Sequence, residues 1–185
     1  EKAGIIKQGI PVVSAPQVEE ALVVLKRVAK EKGCSFILAG EDVKFERLTS
    51  SLDGQSLRLS SHVPLSTHLQ TLDLTIPLLG AHQIENAAIA YAALKTSRIP
   101  ISEEAIQQGF AQAKWPARFD VLHRAPPVVI DSAHNRDSAR RLRETLDEYF
   151  PEVPVILIFC ALEDKDVQGM LEELEEHLQG VGVDS

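Results

Sequence analysis

Between Val128 and Phe150 an apolar run, Val128-Val129-Ile130, ends in Asp131, passes through Ser132-Ala133-His134-Asn135 and enters a strongly periodic segment. A strand that releases polar residues at its carboxyl end, just before a helix amino terminus, is where open α/β sheets place their ligand sites. The periodic segment predicts a helix from about Asp137 to Tyr149, with Ala139, Leu142, Leu146 and Tyr149 on one face. A second apolar run, Val153–Phe159, and a second amphipathic stretch, Val167–Leu178, repeat the order; Val167, Met170, Leu171, Leu174 and Leu178 form its apolar face. Near-continuous apolar strands between amphipathic helices predict an α/β/α layer with a mainly parallel sheet covered on both faces.

The earlier part of the chain reads differently. Pro11-Val12-Val13 is a short strand candidate, and Val18, Ala21, Leu22, Leu25, Val28 and Ala29 line one face of a helix that Gly33 stops. Ser35–Ala39 follows as a buried strand, so this β-α-β succession implies a parallel pair with a crossover helix. Residues 41–76 hold short alternating runs (Val43–Phe45, Leu57–Leu59, Leu72–Ile76) and the hairpin signal Asp53-Gly54, which predict a small antiparallel region. An alanine-rich helix is expected from Ala81 to about Leu94, packed closely against its neighbours. Ser102 is the expected N-cap of the next helix, with Glu103 and Glu104 in its first turn, and Trp115-Pro116 enforces a break after it. A domain boundary falls there, giving domains of 1–114 and 115–185.

Composition bounds the function. Twenty-seven acidic against 19 basic residues leave a net charge of −8 over 185 residues, which argues against a nucleic-acid groove or an anionic membrane surface. It leaves room for small anionic ligands, which need one Arg and a few backbone N–H groups. The run Val153–Leu162 is far short of the roughly 20 residues that span a bilayer. Two cysteines in unrelated contexts, Cys34 and Cys160, suggest neither a disulfide framework nor a metal cluster; two buried thiols in a cytoplasmic protein are expected. The chain opens on Glu1 and closes on Gly-Val-Gly-Val-Asp-Ser, so it reads as a piece of a longer protein.

Several residues carry chemistry, each with a plainer alternative. Asp131 at a strand end can bind ribose hydroxyls or orient a cation, or simply cap the helix. His134 is a proton carrier, a phosphate donor or a loop histidine. Arg118 beside Trp115-Pro116 and Phe119 is a phosphate fork or a guanidinium stacked on aromatic carbon. Asn135 is a natural helix cap. Glu163-Asp164-Lys165-Asp166, after the second apolar run, is a solvated loop or part of a substrate site. Lys2 reads as an ordinary surface charge, and no GxxxxGKS phosphate loop occurs anywhere.

Four blocks go further when taken together: residues 1–13 (Glu-Lys-Ala-Gly-Ile-Ile-Lys-Gln-Gly-Ile-Pro-Val-Val), 79–88 (Leu-Gly-Ala-His-Gln-Ile-Glu-Asn-Ala-Ala), 115–119 (Trp-Pro-Ala-Arg-Phe) and 131–135 (Asp-Ser-Ala-His-Asn). In this order and spacing they resemble the folylpolyglutamate synthase/dihydrofolate synthase family of the Mur ligase superfamily. Asp-Lys-Asp at 164–166 fits as well. The resemblance implies that residues 1–114 are the last part of a central ATP-binding domain and 115–185 a truncated glutamate-ligase domain. It implies ATP and Mg2+ as cofactors, and the joining of L-glutamate to folate or dihydropteroate through an acyl phosphate. Residue by residue, Lys2 matches the lysine that becomes N-carboxylated and serves the metal. Asn86 matches the asparagine at the ATP base, Arg118 the arginine at the phosphates, and Asp131 the aspartate at the nucleotide. His134 matches the histidine near the phosphates or the glutamate.

Two departures stand out: Ser132 replaces a usual glycine, and Ala117 a common one. The phosphate loop, the remaining metal ligands and most of the pterin site are expected upstream of Glu1. The piece alone is therefore expected to be inactive, and the whole protein to be a cytoplasmic monomer without nucleic-acid or membrane partners. The rival readings are a peptidoglycan-precursor Mur ligase and a non-catalytic nucleotide-binding domain of the same fold.

Overall fold

The computed structural model describes residues 2–61, 70–97, 99–151, 153–162 and 164–175. These form two compact units. The first comprises residues up to Ser50, Gly54–Pro77 and Gln83–Ala113; the second comprises Ser51–Asp53, Leu78–His82 and the chain from Lys114 onward.

In the first unit a 3-10 turn, Lys2–Ile5, precedes strand β1 (Val12–Ser14), helix α1 (Glu19–Glu31) and strand β2 (Phe36–Leu38). β1 and β2 pair in parallel, Val13 opposite Ile37, as the crossover pattern predicts. α1 buries Leu22 and Ala29 from its expected face, and Gly33 follows at φ 63°. Strands β3 (Val43–Ser51), β4 (Gly54–Ser61) and β5 (Gln70–Ile76) make a three-stranded sheet in that order. β4 and β5 run antiparallel with Leu57 opposite Leu74 and Leu59 opposite Leu72. Gln55, Leu57, Leu59 and Ser61 are buried in β4, and Leu72, Leu74 and Ile76 in β5, the period of two that gives one dry face.

Helix α2 (Ala81–Thr96) buries Gln83, Ile84, Ala87, Ala88, Tyr91 and Ala92, so its alanines serve close packing, as expected. Helix α3 (Glu103–Ala111) starts at Ser102, whose hydroxyl accepts from Ala105 N at 3.2 Å. Gln107 Nε2 donates to the Asp73 carbonyl at 3.1 Å, which seats α3 on β5.

The second unit holds strands β6 (Asp120–Arg124) and β7 (Pro127–Ile130), helix α4 (Arg136–Tyr149) and helix α5 (Val167–Glu175). α4 buries Ala139 and Thr145; Leu142, Leu146 and Tyr149 from the expected face pack partly buried against Leu79, Phe119 and Phe150. α5 buries Met170 and Leu174, which pack with Ala139. Arg136 ties the two helices, reaching Glu173 at 2.7 Å and Glu172 at 3.4 Å. Leu178, expected on the α5 face, lies outside the described residues, as does Glu163 of the acidic loop.

The α/β class is as expected, yet the second unit corrects two details. β7 pairs with β6 in an antiparallel hairpin, Asp120 opposite Ile130, rather than in parallel with Val153–Phe159. Residues 153–159 form no ladder among the described residues, although their exposure alternates strictly along Val155–Leu162. Leu157 and Phe159 pack on the Ala139–Met170–Leu174 cluster, while Ile156 and Ile158 are 91% and 95% exposed. Apolar content alone predicts an extended, half-packed segment, but a strand also needs a hydrogen-bonding neighbour. The same alternation corrects the thiols. Cys160 falls on the outward phase and is exposed, and Cys34 is half-buried. Among the described residues, no helix is long and apolar enough to cross a membrane.

Candidate nucleotide site

The Asp131 carboxylate, delivered by β7, is the centre of the second unit's loop system. Phe119 N donates to its Oδ2 at 2.7 Å, and Ala133 N donates to its Oδ1 at 2.7 Å. Ser132 N also donates to the Ala117 carbonyl at 3.0 Å. Arg118, half-buried, therefore sits between two residues that are each tied to the loop after β7. Both of those residues are left-handed, with φ 58° at Ala117 and 48° at Phe119.

Left-handed backbone in residues other than glycine costs on the order of 1–3 kcal/mol each. Hydrogen bonds to a charged acceptor contribute about 1.5–3 kcal/mol each, so the carboxylate is strong enough to hold the loop. The Phe119 ring adds an anchor. It is buried, 5.8 Å from the Tyr149 ring centroid and 6.2 Å from that of Phe150. The substitution of alanine at 117 thus falls where glycine would enter the required conformation without strain. Ser132 stays out of the left-handed region, so its side chain imposes no such cost.

α4 starts immediately beyond. Asn135 caps it, its side chain accepting from Ser138 N at 2.8 Å, while Ser138 Oγ accepts from Asn135 N at 3.0 Å and His134 N at 2.9 Å. The capping role expected of Asn135 is what it performs, and Asp131 is not the helix cap. His134 is exposed, its Nδ1 3.1 Å from the Ser132 carbonyl. A carbonyl partner makes Nδ1 the protonated nitrogen and leaves Nε2 as the basic one.

Arg118, Asp131 and His134 are thus brought into one loop system. Asn86 and Lys2 belong to the first unit. Asn86 is exposed on α2, its Nδ2 donating to Gln83 Oε1 at 3.1 Å, which orients the amide. Lys2 is exposed on the 3-10 turn. Asp166 caps α5, accepting from Gly169 N at 2.9 Å, and Lys165 pairs with Asp164 at 2.9 Å, so these three charged groups are engaged locally. Among the described residues, no three His, Cys, Asp or Glu side chains converge as a metal site, and one exposed amine does not make a magnesium ligand set.

His82 is the member that sequence reasoning missed. It lies in the first turn of α2 and within the second unit. Burial lowers its pKa below the ordinary 6.5, the Arg141 guanidinium pushes the same way and Arg118 adds to it, while Asp131 and Glu144 oppose. A Cβ on Gly80 (φ 98°) would come within 2.6 Å of Thr145 Oγ1 and 2.8 Å of His82 Cε1, so Gly80 is what lets the imidazole and α4 approach. The signal available was an imidazole at the start of an otherwise small, apolar helix.

A pH prediction follows from that burial. With its pKa depressed in the fold, His82 takes up its proton at higher pH in the unfolded chain than in the native one. The second unit should therefore lose stability as pH falls below about 6.5 and show no His82 contribution above it. Urea midpoints from pH 5 to 8 check this; a slope unchanged in His82→Gln would assign the pH dependence elsewhere.

A loop that holds a guanidinium at a strand's carboxyl end, beside a capped helix amino terminus, is an arrangement of α/β folds that suits an anionic ligand. Residues 117–183 match the family model for the Mur ligase glutamate ligase domain. Over 181 residues the chain is 34% identical to the dihydrofolate synthase/folylpolyglutamate synthase of Bacillus subtilis, covering 95% of the chain and 40% of that protein. Two solved structures are similar at a TM-score of 0.83. One is an FPGS–AMPPCP–folate complex, 31% identical over 97% of the chain and 43% of its own. The other is the Mycobacterium tuberculosis folylpolyglutamate synthase complexed with ADP, 30% identical over 96% of the chain and 40% of its own. Over nearly its whole length the chain is thus similar to part of the folylpolyglutamate synthase/dihydrofolate synthases, and residues 117–183 match the Mur ligase glutamate ligase domain. The chain spans 40% of the length of that Bacillus relative.

Proposed function

We propose that the whole protein carrying this chain is an ATP-dependent ligase that joins L-glutamate to folate, to dihydropteroate or to both. In this reading the acceptor carboxylate attacks the ATP γ-phosphorus and ADP leaves. The glutamate amine then attacks the acyl phosphate carbon, phosphate departs and the amine gives up a proton. Such phosphoryl transfer rests on positioning and on neutralising charge.

The observation that carries the reading is Arg118, fixed between two tied left-handed residues beside the amino terminus of α4. Backbone so held sets the direction in which the Arg118 side chain leaves the loop, and a guanidinium offers phosphate oxygens a bidentate fork. Asn86 is proposed at the adenine and Asp131 at the nucleotide. His134, with a basic Nε2, is proposed beside the phosphates or the incoming glutamate. Residues 1–114 are proposed as part of the ATP-binding domain and 115–185 as the glutamate-ligase domain. Mg2+ is proposed as the ion that accompanies ATP, and Lys2, once converted to a carbamate, as a residue of this chain that would help to hold it. A cytoplasmic monomer is the working form.

The test is glutamate-dependent ADP release by the complete protein, with dihydropteroate and tetrahydrofolate offered separately. Turnover with both acceptors establishes a bifunctional enzyme, and with one it names the branch. A folded, magnesium-loaded protein that turns over neither would transfer the assignment to a peptidoglycan-precursor ligase or to a non-catalytic domain.

A further inference from the structure

We infer that Lys32 and Cys34 are positioning residues for Lys2: together they clamp residues 6–9 and so set the backbone turn from which Lys2 rises. The inference rests on the reading of Lys2 as a carbamate-bearing residue, and it lies wholly within the first unit.

Lys2 opens the 3-10 turn Lys2–Ile5 and is exposed. A lysine has a flexible four-carbon stem, so the fold fixes only where that stem starts and which way it leaves. Ile6 N donates to the Ala3 carbonyl at 3.2 Å, which closes the turn onto Ile6, itself buried at 6% exposure. The rest of the segment has little hold of its own. Ile5 and Ile10 are 82% and 57% exposed, and Lys7, Gln8 and Gly9 also lie at the surface.

The hold comes from the carboxyl end of α1. Lys32, the C-cap of that helix, donates from Nζ to the Ile6 carbonyl, and its own carbonyl accepts from Gly9 N at 3.0 Å. Cys34 Sγ donates to the Lys7 carbonyl at 3.0 Å. Ile6, Lys7 and Gly9 are thus all caught by two residues. Those two are fixed in turn: Lys32 N donates to the Val28 carbonyl at 3.1 Å and Cys34 N to the Ala29 carbonyl at 2.9 Å, with Gly33 between them at φ 63°. Lys32 is half-buried, whereas Lys26 and Lys30 on the same helix are exposed. An ammonium donating to a carbonyl is a charge-assisted bond, so Lys32 is the stronger tie and the thiol, a weak donor, the lesser one.

A clamp of this kind could serve stability alone. The two roles separate on the carbamate. The uncharged Lys2 amine adds carbon dioxide, a carbon–nitrogen bond forms and one proton passes to solvent. Carbamate occupancy at a given bicarbonate concentration then depends on where the turn places Lys2 Nζ among the groups that favour the charged product. A merely structural clamp leaves that occupancy unmoved.

The experiment records the carbamate carbon of the complete protein by 13C NMR in labelled bicarbonate, the signal being assigned by its loss in Lys2→Ala. Urea midpoints and kcat are measured alongside. The variants are Lys32→Met, which keeps the stem and removes the donor, Lys32→Arg, Cys34→Ala, and Lys26→Met as an exposed control. Lys32→Met is expected to raise the bicarbonate needed for half-occupancy about fivefold, within the tenfold that one net hydrogen bond supplies. Its kcat should fall at low bicarbonate and recover as bicarbonate rises. Lys32→Arg should keep most of the occupancy, and Cys34→Ala should shift it about twofold, the smaller effect of a weak donor. That milder variant carries the test if Lys32→Met folds poorly. Half-occupancy unchanged in both Lys32→Met and Cys34→Ala, or shifted equally by Lys26→Met, would overturn the inference. A parent protein with no Lys2 carbamate signal at high bicarbonate would instead remove the reading of Lys2, and this inference with it.

Discussion

Arg118→Ala in the complete protein is expected to raise KM for ATP about 100-fold or more, because two charge-assisted bonds at roughly 1.5–3 kcal/mol each are lost. The size depends on preorganisation. Arg118 rises from a backbone already tied on both sides, so binding a phosphate orders the side chain but need not order the loop. Arg118→Lys keeps the charge but loses the planar fork, so it should recover only part of the loss. Acceptor and glutamate KM should move far less than that for ATP. Initial rates against ATP, at fixed acceptor and fixed ionic strength, decide it. A KM for ATP within twofold of the parent's would mean that the guanidinium faces something other than phosphate.

Much of the fold was legible because it rests on local periodicity. The apolar face of α1, the alternating runs of β4 and β5 and the Ser102 and Asn135 caps each follow from a pattern complete within a dozen residues or so. What failed needed partners that the pattern does not name. β6 has the sequence Asp-Val-Leu-His-Arg, too polar to read as a core strand, yet it pairs with β7. Val153–Phe159 has the apolar content of a strand but no hydrogen-bonding neighbour among the described residues, and Cys160 just beyond falls on the exposed phase of its alternation.

The candidate residues were legible in the sequence, but the loop geometry that gathers three of them was not. Arg118, Asp131 and His134 were picked out by type and position, and they share one loop system. Nothing in Trp-Pro-Ala-Arg-Phe announces left-handed backbone at an alanine and a phenylalanine. Those angles arise because Asp131, twelve residues away from Phe119, offers an acceptor and the aromatic cluster offers a seat. His82 escaped notice for a related reason. Its environment is made by Gly80, Thr145 and the charges of α4, residues far apart in the chain.

Phe119→Ala is expected to destabilise the second unit by about 3–5 kcal/mol, the cost of deleting a buried aromatic ring and leaving a cavity. The ring is 3% exposed and shares a cluster with Leu79 and Phe150, against which Leu52, Val121, Val129, Leu142, Leu146 and Tyr149 pack. Phe119→Leu, which keeps much of the volume, should cost less, and Leu122→Ala, at a residue 58% exposed, should cost little. Trp115 is the only tryptophan in the chain and lies in the second unit, so its fluorescence in urea follows this unit alone. The loss should also reach ATP. The buried ring is the second anchor of a residue held at φ 48°, directly after Arg118. A variant that stays folded at low temperature should therefore bind the ATP analogue more weakly than the parent. A midpoint equal to that of Leu122→Ala would show that the aromatic cluster does not hold the loop, leaving the Asp131 carboxylate as its main restraint.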